Sequence, residues 1–202
     1  MKYAIKHRFT GAVLYEADIP DDTPSGMQCR VALEKATTAR AYLTGANLAD
    51  ANLAVAYLTG ANLADANLTG ANLADANLAR ANLAGAYLAD ANLARAYLAD
   101  ANLTDANLAG AYLADAIVRN QKLIGTRPVF HIGPIGSRCA QFVSYITDAG
   151  VLLNAGCFWG TVDEFRAKLT DTHGDNDHAK EYEMALLMIE AHAAIWTPKE
   201  AA

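Results

Sequence analysis

Leucine recurs at every fifth position over a long central stretch of the chain. Residues 41–115 form fifteen consecutive five-residue units such as AYLTG, ANLAD and ANLAV, each with alanine first and leucine third. The second residue is Asn or Tyr, the fourth is Ala or Thr, and the fifth is Asp, Gly, Arg or Val. Weaker units at 31–35, 36–40 and 116–120 keep part of the pattern. The repeat is therefore predicted to extend over residues 31–120.

A period of five fits neither regular element. On an α-helix, successive leucines would lie about 140° apart and point all round the axis. On a flat strand, an odd spacing sends alternate leucines to opposite faces. The pattern instead predicts a chain that turns once per unit, so that every leucine points to one axis. Such a chain is a solenoid, in which each coil contacts only its neighbours.

The units resemble the pentapeptide-repeat family, whose motif is A(D/N)LXX with a central leucine. This resemblance implies a mainly β fold, a right-handed quadrilateral β-helix with one unit per side and four units per coil. The leucines would then point inward and form the core. The fifteen predicted core leucines are Leu43, Leu48, Leu53, Leu58, Leu63, Leu68, Leu73, Leu78, Leu83, Leu88, Leu93, Leu98, Leu103, Leu108 and Leu113.

Charges at the fifth positions support this register independently of the family. With four units per coil, no aspartate of the repeat lies directly above another one coil away. Arg95 falls between Asp75 and Asp115, and Arg80 falls beside Asp100. Stacked carboxylates would repel each other, whereas opposite charges attract by a few tenths of a kcal/mol per pair. A coil of four units accounts for this distribution.

The N-terminal segment, residues 1–30, is predicted to cap the solenoid, since an open end would expose core and unpaired strand edges. Apolar residues in 3–9 and 12–17, separated by Thr10-Gly11, predict a β-hairpin.

Beyond Asn120 the composition changes, and residues 121–202 are predicted to form a small α+β module. Thr161 and Glu164 form a capping box that opens a helix toward His173, and a second helix starts near 175–177. The segment GCFWGTVDEF…THGDNDHAKEY resembles a module of uncharacterised phage and bacterial proteins, a resemblance that implies no activity. The predicted strands are 128–133, 139–147 and 151–155.

Composition excludes several classes of protein. Apolar residues make up 53% of the 202 residues and charged residues 19%, which is too apolar for a disordered chain. No window holds 18 consecutive apolar residues, so no membrane span is expected. The net charge of −6 argues against direct nucleic-acid binding. Three widely spaced cysteines and a polar N-terminus predict a cytoplasmic protein with reduced thiols.

One polar cluster of the sequence could carry chemistry: Cys157, His173, Asp175 and His178. A cysteine paired with a histidine could form a nucleophile, and two histidines with an aspartate could hold zinc. The structural alternative is that His173 caps the last turn of a helix and Cys157 is a small buried hydrophobe. Because no known catalytic or metal motif is present, we expect no catalytic residues, no metal and no cofactor.

A candidate binding face lies on the repeat. In the four-unit register Tyr57 and Tyr97 share a side, as do Arg80 and Asp100. Aromatic side chains interleaved with arginines are typical of binding anchors. The alternative is that these tyrosines are scattered over the surface and contact nothing.

These observations predict a non-enzymatic structural or interaction protein, a capped rod that presents a C-terminal binding module to a protein partner of unknown identity. The family resemblance implies an alternative, a DNA mimic that binds a type II topoisomerase such as gyrase. Duplex DNA carries one charge per ~1.7 Å, about 13 over the ~22 Å expected for the rod. Residues 41–115 carry only seven Asp and two Arg. A third hypothesis is a hydrolase-like or metal site in the C-terminal module.

Overall fold

The computed structural model describes residues 1–137, 140–156 and 158–198 of the chain. The chain forms two compact units, Met1–Asn120 and Gln121–Ala202. The boundary lies at the end of the last degenerate repeat unit.

The first unit begins with a hairpin followed by a helix. Strands β1 (Lys2–Lys6) and β2 (Val13–Asp18) pair antiparallel, as the sequence predicts. Helix α1 (Ser25–Thr38) follows directly after Pro24. The prediction that repeat units begin at residue 31 is therefore wrong for 31–38. These residues lack Asn at the second position and Asp or Gly at the fifth, and they bury Ala32, Leu33 and Ala36 along one helical face.

Beyond α1, the chain returns beside itself every four units. Parallel bridges join each second-position residue to its counterpart four units later, from Tyr42 with Asn62 to Tyr97 with Ile117 in strand β3 (Ile117–Val118). Leu48 N–H donates to Asn67 O at 2.7 Å, and Asn67 N–H donates to Ala46 O at 2.8 Å. The predicted return after four units is thus confirmed. Fourteen of the fifteen leucines are buried, and Leu108 is half-buried.

Each unit ends in a β-turn in which one residue must adopt the left-handed backbone conformation. The first-position N–H donates to the preceding leucine carbonyl, as Ala46 does to Leu43 at 2.9 Å. The fifth residue of all fifteen units has φ between +55° and +70°. A turn of this kind favours Gly, Asn or Asp at that position, because other side chains crowd the backbone there. The geometry explains why twelve of the fifteen fifth positions are Asp or Gly.

Asparagine at the second position stabilises the same turn. Its side-chain oxygen accepts a hydrogen bond from the fourth-position N–H, as Asn72 Oδ1 does from Ala74 at 3.1 Å. This contact is an Asx turn, in which a short side chain stands in for a backbone acceptor. Asn amides also stack between coils, since Asn92 Nδ2 donates to Asn72 Oδ1 at 3.4 Å. Asparagine therefore serves both the turn and the contact between coils.

Side chains at the fifth positions stack as columns. A Cβ atom at Gly70 would collide with Oδ1 of Asp50, so the carboxylate occupies the space that glycine leaves open. Arg95 lies over Asp75 and donates two hydrogen bonds of 2.7 and 2.8 Å to its carboxylate. This bond to the Arg95 guanidinium holds the pKa of the Asp75 carboxyl below its usual value. Alternation of Asp with Gly or Arg is thus steric as well as electrostatic.

The hairpin and α1 satisfy backbone groups at the first coil, which has no coil before it. Asn47 N–H donates to Lys6 O at 2.8 Å. Tyr57 N–H donates to Glu34 Oε1 at 3.0 Å, and Arg30 donates to Ala54 O at 3.0 Å. One strand and one helix therefore take over hydrogen bonds that a preceding coil would make.

The second unit is an antiparallel sheet covered by two helices. Its elements are β4 (Gln121–Lys122), β5 (Val129–Ile135), β6 (Ala140–Thr147), β7 (Gly150–Ala155), β8 (Phe158–Thr161), α2 (Val162–His173) and α3 (Asp177–Trp196). Strands β5 to β8 form a four-stranded sheet in sequential order. Phe142, Leu153, Phe165, Leu186 and Ile189 lie in the core that the sheet shares with α2 and α3. The α+β prediction is confirmed, and β8 is an additional strand.

Val55 is the one β-branched residue among the left-handed fifth positions, with φ of +62°. We expect Val55→Asn to raise the free energy of unfolding by about 1 kcal/mol, since Asn tolerates this conformation far better than Val. Urea unfolding followed by far-UV circular dichroism measures the change. The matched control is Val13→Asn, because Val13 lies in β2 and is 54% exposed against 53% for Val55. Equal effects of the two substitutions would contradict the assignment of strain to Val55.

A substitution at Glu34 tests how much the N-terminal cap contributes to stability. We expect Glu34→Ala to lower the free energy of unfolding by about 1 kcal/mol, because the Tyr57 N–H loses its acceptor. Glu34→Gln keeps an acceptor oxygen at the same place and should cost far less. Both tryptophans, Trp159 and Trp196, lie in the second unit. Circular dichroism should therefore register the loss in the first unit while tryptophan fluorescence does not shift.

Candidate functional site

The face predicted on the repeat is only partly available for binding. Tyr57, Asn77 and Tyr97 are joined by consecutive parallel bridges, so the two tyrosines share a column as expected. Tyr57 is 71% exposed, whereas Tyr97 is half-buried and donates from its hydroxyl to Asn120 Oδ1 at 3.3 Å.

The charged members of that face differ in the same way. Asp100 forms an ion pair of 2.7 Å with Arg119, not with Arg80. Arg80 itself is exposed. Two of the four predicted residues, Tyr97 and Asp100, are thus engaged within the protein, which leaves Tyr57 and Arg80 as the accessible pair.

The predicted polar cluster is brought together in part. His173 and His178 are ring neighbours with centroids 5.8 Å apart, and Ser137 Oγ lies 3.5 Å from His173 Nε2. Asp175 is exposed in the turn between α2 and α3. Cys157 lies outside the described residues. In the described part of the chain, no group of three or more His, Cys, Asp or Glu side chains is arranged to hold a metal ion.

His173 stands at the edge of a cavity of about 260 Å³ in the second unit. One face of α2 forms part of the cavity wall. Four residues at helical spacing on this face line the cavity: Phe165, Lys168, Leu169 and Thr172. Phe165 and Leu169 are buried, whereas Lys168 and Thr172 are exposed. The wall is therefore apolar at depth and polar at the rim.

The remaining wall comes from Ala155 at the end of β7, from β8 and α3, and from the turn after β5. Phe158 and Tyr182 contribute rings that pack edge-on against Phe165, with centroids 5.0 and 5.4 Å away. Ser137 lies at the rim. The N–H of Gly136, the residue before Ser137, donates to Glu181 Oε2 at 2.8 Å and fixes this turn against α3.

An ion-pair clasp ties the two helices together. Arg166 of α2 donates two hydrogen bonds of 2.9 and 3.1 Å to Glu190 and one of 3.3 Å to Glu183, both on α3. These bonds raise the pKa of the Arg166 guanidinium above its usual value. The clasp orients α3 so that Ala185, Leu186 and Ile189 face the core.

Helix α3 carries a second apolar face that points away from that core. We call it the α3 stripe, and it comprises Met184, Leu187, Met188, Ala191, Ala194 and Ile195. At 100° per residue these six positions lie within an arc of roughly 120°. Its four large side chains are each between 55% and 69% exposed.

Comparison with known proteins decides the family. A model of pentapeptide repeats matches eight copies over residues 39–75, 76–113 and 101–127. A pentapeptide repeat protein from Nostoc of known structure is 43% identical over 43% of this chain and 77% of its own, with a TM-score of 0.28. The chain belongs to the pentapeptide-repeat family.

Two further relatives of known structure share only part of their length with this pentapeptide-repeat protein. A protein from the thylakoid lumen of Arabidopsis thaliana is 30% identical over 39% of this chain and 58% of its own, with a TM-score of 0.33. HetL from Nostoc, involved in heterocyst differentiation regulation, is 33% identical over 37% of this chain and 41% of its own, with a TM-score of 0.16. This chain thus spans little more than half of the Arabidopsis relative.

No curated protein sequence matches this pentapeptide-repeat protein. Within the described residues, no helix has the length and apolar character that crossing a membrane requires.

Sequence reasoning missed both the cavity and the α3 stripe of this family member. The stripe left a readable signal, because positions 184, 187, 188, 191 and 195 are apolar and lie on the side of α3 opposite the buried Ala185, Leu186 and Ile189. A helix that is apolar all round is normally covered on both sides. The cavity left none, since its lining comes from five separate elements.

Gly136 is the position on which the rim of the cavity depends. It has φ of +69°, and a Cβ there would collide with the Tyr182 ring. We expect Gly136→Ala to lower the free energy of unfolding of the second unit by at least ~2 kcal/mol. Gly156→Ala is the control, because Gly156 has φ of +60° but open space around it. The control substitution should lower the free energy of unfolding by about 1 kcal/mol. Unfolding is followed by tryptophan fluorescence. An equal loss at both sites would exclude a steric contribution at Gly136.

Proposed function

We propose that this pentapeptide-repeat protein is a non-enzymatic interaction protein whose C-terminal unit binds a protein partner. In this proposal the repeat closes into a right-handed quadrilateral β-helix over residues 41–120 and acts as a rigid spacer. Pentapeptide-repeat proteins are generally structural or interaction proteins, which supports the assignment. A cytoplasmic location is part of the same proposal, in keeping with the free thiol of Cys29.

The α3 stripe is the observation that carries the proposal. Leu187 and Met188 are 62% and 55% exposed on a helix whose other face is already packed. Isolated exposed apolar residues are ordinary, but a continuous stripe over three helical turns marks an interaction site. An amphipathic or apolar helix of a partner would bury it by the packing that helices use in grooves.

Charge favours a partner protein over two other occupants. Helix α3 carries four acidic side chains against one lysine, and Arg166 of α2 pairs with Glu183 and Glu190, so these six groups have a net charge of −2. An anionic membrane surface attracts helices with basic flanks and would repel this one. A second copy of α3 would bring acidic flanks together, which disfavours pairing. The complementary surface is therefore apolar with basic residues at its margins.

The alternative of a DNA mimic that binds gyrase finds less support. Arg95 pairs with Asp75 and Arg119 pairs with Asp100, which offsets two of the seven acidic charges on the repeat. The third alternative, an enzyme, would need a base activated by a further group. Ser137 and His173 lie 3.5 Å apart, a separation at the long limit of a hydrogen bond.

The test is capture of a partner by the full-length chain. We expect Leu187→Asp to reduce the captured amount at least ~10-fold, because a carboxylate replaces an apolar side chain at the centre of the contact. Tyr57→Asp is the matched control, since it places the same charge at an exposed position on the repeat. Both variants should keep the native circular dichroism spectrum.

The outcomes separate the hypotheses. Capture lost with Tyr57→Asp and kept with Leu187→Asp would assign binding to the repeat and overturn the proposal. Sedimentation of the purified chain as a dimer that Leu187→Asp converts to a monomer would replace the partner with a second copy. Inhibition of DNA supercoiling by gyrase would restore the topoisomerase alternative.

A further inference from the structure

We propose that the cavity of the second unit binds a small aromatic carboxylate. This site is separate from the α3 stripe, because Tyr182 lines the cavity from the face of α3 opposite to Leu187 and Met188. The proposal therefore does not depend on the protein partner proposed above.

The cavity offers an aromatic ring an apolar chamber on more than one side. Phe158, Phe165 and Tyr182 present rings to it, and Leu169 closes its inner end at 5% exposure. Aromatic rings prefer edge-to-face or offset contacts with other rings at centroid distances of about 4.5–7 Å. The Phe158–Phe165 and Phe165–Tyr182 pairs already have this geometry, so an additional ring would extend an existing cluster.

The ionisable groups in the described lining of the cavity are basic or neutral. Lys168 and His173 stand at the rim, and no Asp or Glu is among the described residues that line it. Glu181 of α3, next to the lining residue Tyr182, already accepts a hydrogen bond from Gly136 N–H. A ligand with its ring at depth would thus meet a cationic ammonium group at the entrance, which selects for an anion.

The polar groups at the rim of the cavity can form hydrogen bonds to a carboxylate. Ser137 Oγ and His173 Nε2 are 3.5 Å apart, longer than an ordinary hydrogen bond between such groups. Both can turn toward an incoming oxygen without breaking a strong bond. Together with Lys168 they provide donors for both carboxylate oxygens.

The volume bounds the size of the ligand. A cavity of about 260 Å³ holds the equivalent of roughly nine waters at ~30 Å³ each. One ring with a short acid side chain fits within this space, whereas a nucleotide would extend out of it into solvent. The class is therefore a single-ring carboxylate.

The experiment titrates the full-length chain with phenylacetate and with its neutral isostere phenylacetamide by calorimetry. We expect phenylacetate to bind with a dissociation constant on the order of 0.1–1 mM, as its size allows. Phenylacetamide should bind at least ~5-fold more weakly, because it lacks the charge that Lys168 attracts. NMR shifts of the Leu169 methyl groups should locate both ligands in the cavity.

Two variants complete the test. Lys168→Gln should lower the affinity for phenylacetate about 5-fold and leave that for phenylacetamide unchanged. Lys180→Gln removes an exposed lysine of α3 outside the cavity lining and is the matched control. Absence of binding at ~10 mM phenylacetate, equal affinity for the two ligands, or equal effects of the two lysine substitutions would each overturn the proposal.

Discussion

The repeat depends on one constraint: the last residue of every five-residue unit adopts the left-handed backbone conformation. With φ between +55° and +70° at each fifth position, the chain turns at regular intervals and returns beside itself after four units. Leucine then faces inward because the turn fixes its direction, and asparagine is favoured because its side chain satisfies the turn's own N–H. The stacking of Asp50 over Gly70 follows from the same geometry.

The period of five and the return after four units could be predicted from the sequence, because a pattern repeated fifteen times is compatible with few backbone conformations. The start of the repeat could not. Units 31–35 and 36–40 retain Leu33 and Ala36 in register, yet these residues are buried on a helix. Two apolar residues three positions apart suit a helical face as well as they suit two units of the repeat. The alternatives are distinguished by the absence of Asn at the second position and of Asp or Gly at the fifth position of both units.

In the second unit, local signals identified elements and tertiary packing created the sites. The capping box of Thr161 and Glu164 is present, with bonds of 2.8 and 3.2 Å, because it depends on residues three apart. The cavity depends on α2, α3, β8 and the turn at Gly136 meeting at one place, which no local pattern encodes. The residues of the candidate cluster are accordingly brought together only in part, since His173 lies beside His178 whereas Asp175 is exposed in the turn.

Both binding sites that we propose for the second unit involve helix α3. Along the repeat, the backbone largely dictates the first, third and fifth residues. Departures from the preferences of the turn are few, namely tyrosine at some second positions and Val55, Arg80 and Arg95 at fifth positions. In α3, the clasp of Arg166 with Glu183 and Glu190 fixes the helix while leaving two faces for different tasks. Tyr182 closes a cavity on one face, and Leu187 and Met188 are exposed on the other. A rigid helix held by its flanks can present both surfaces at once, and substitutions on one face need not disturb the other.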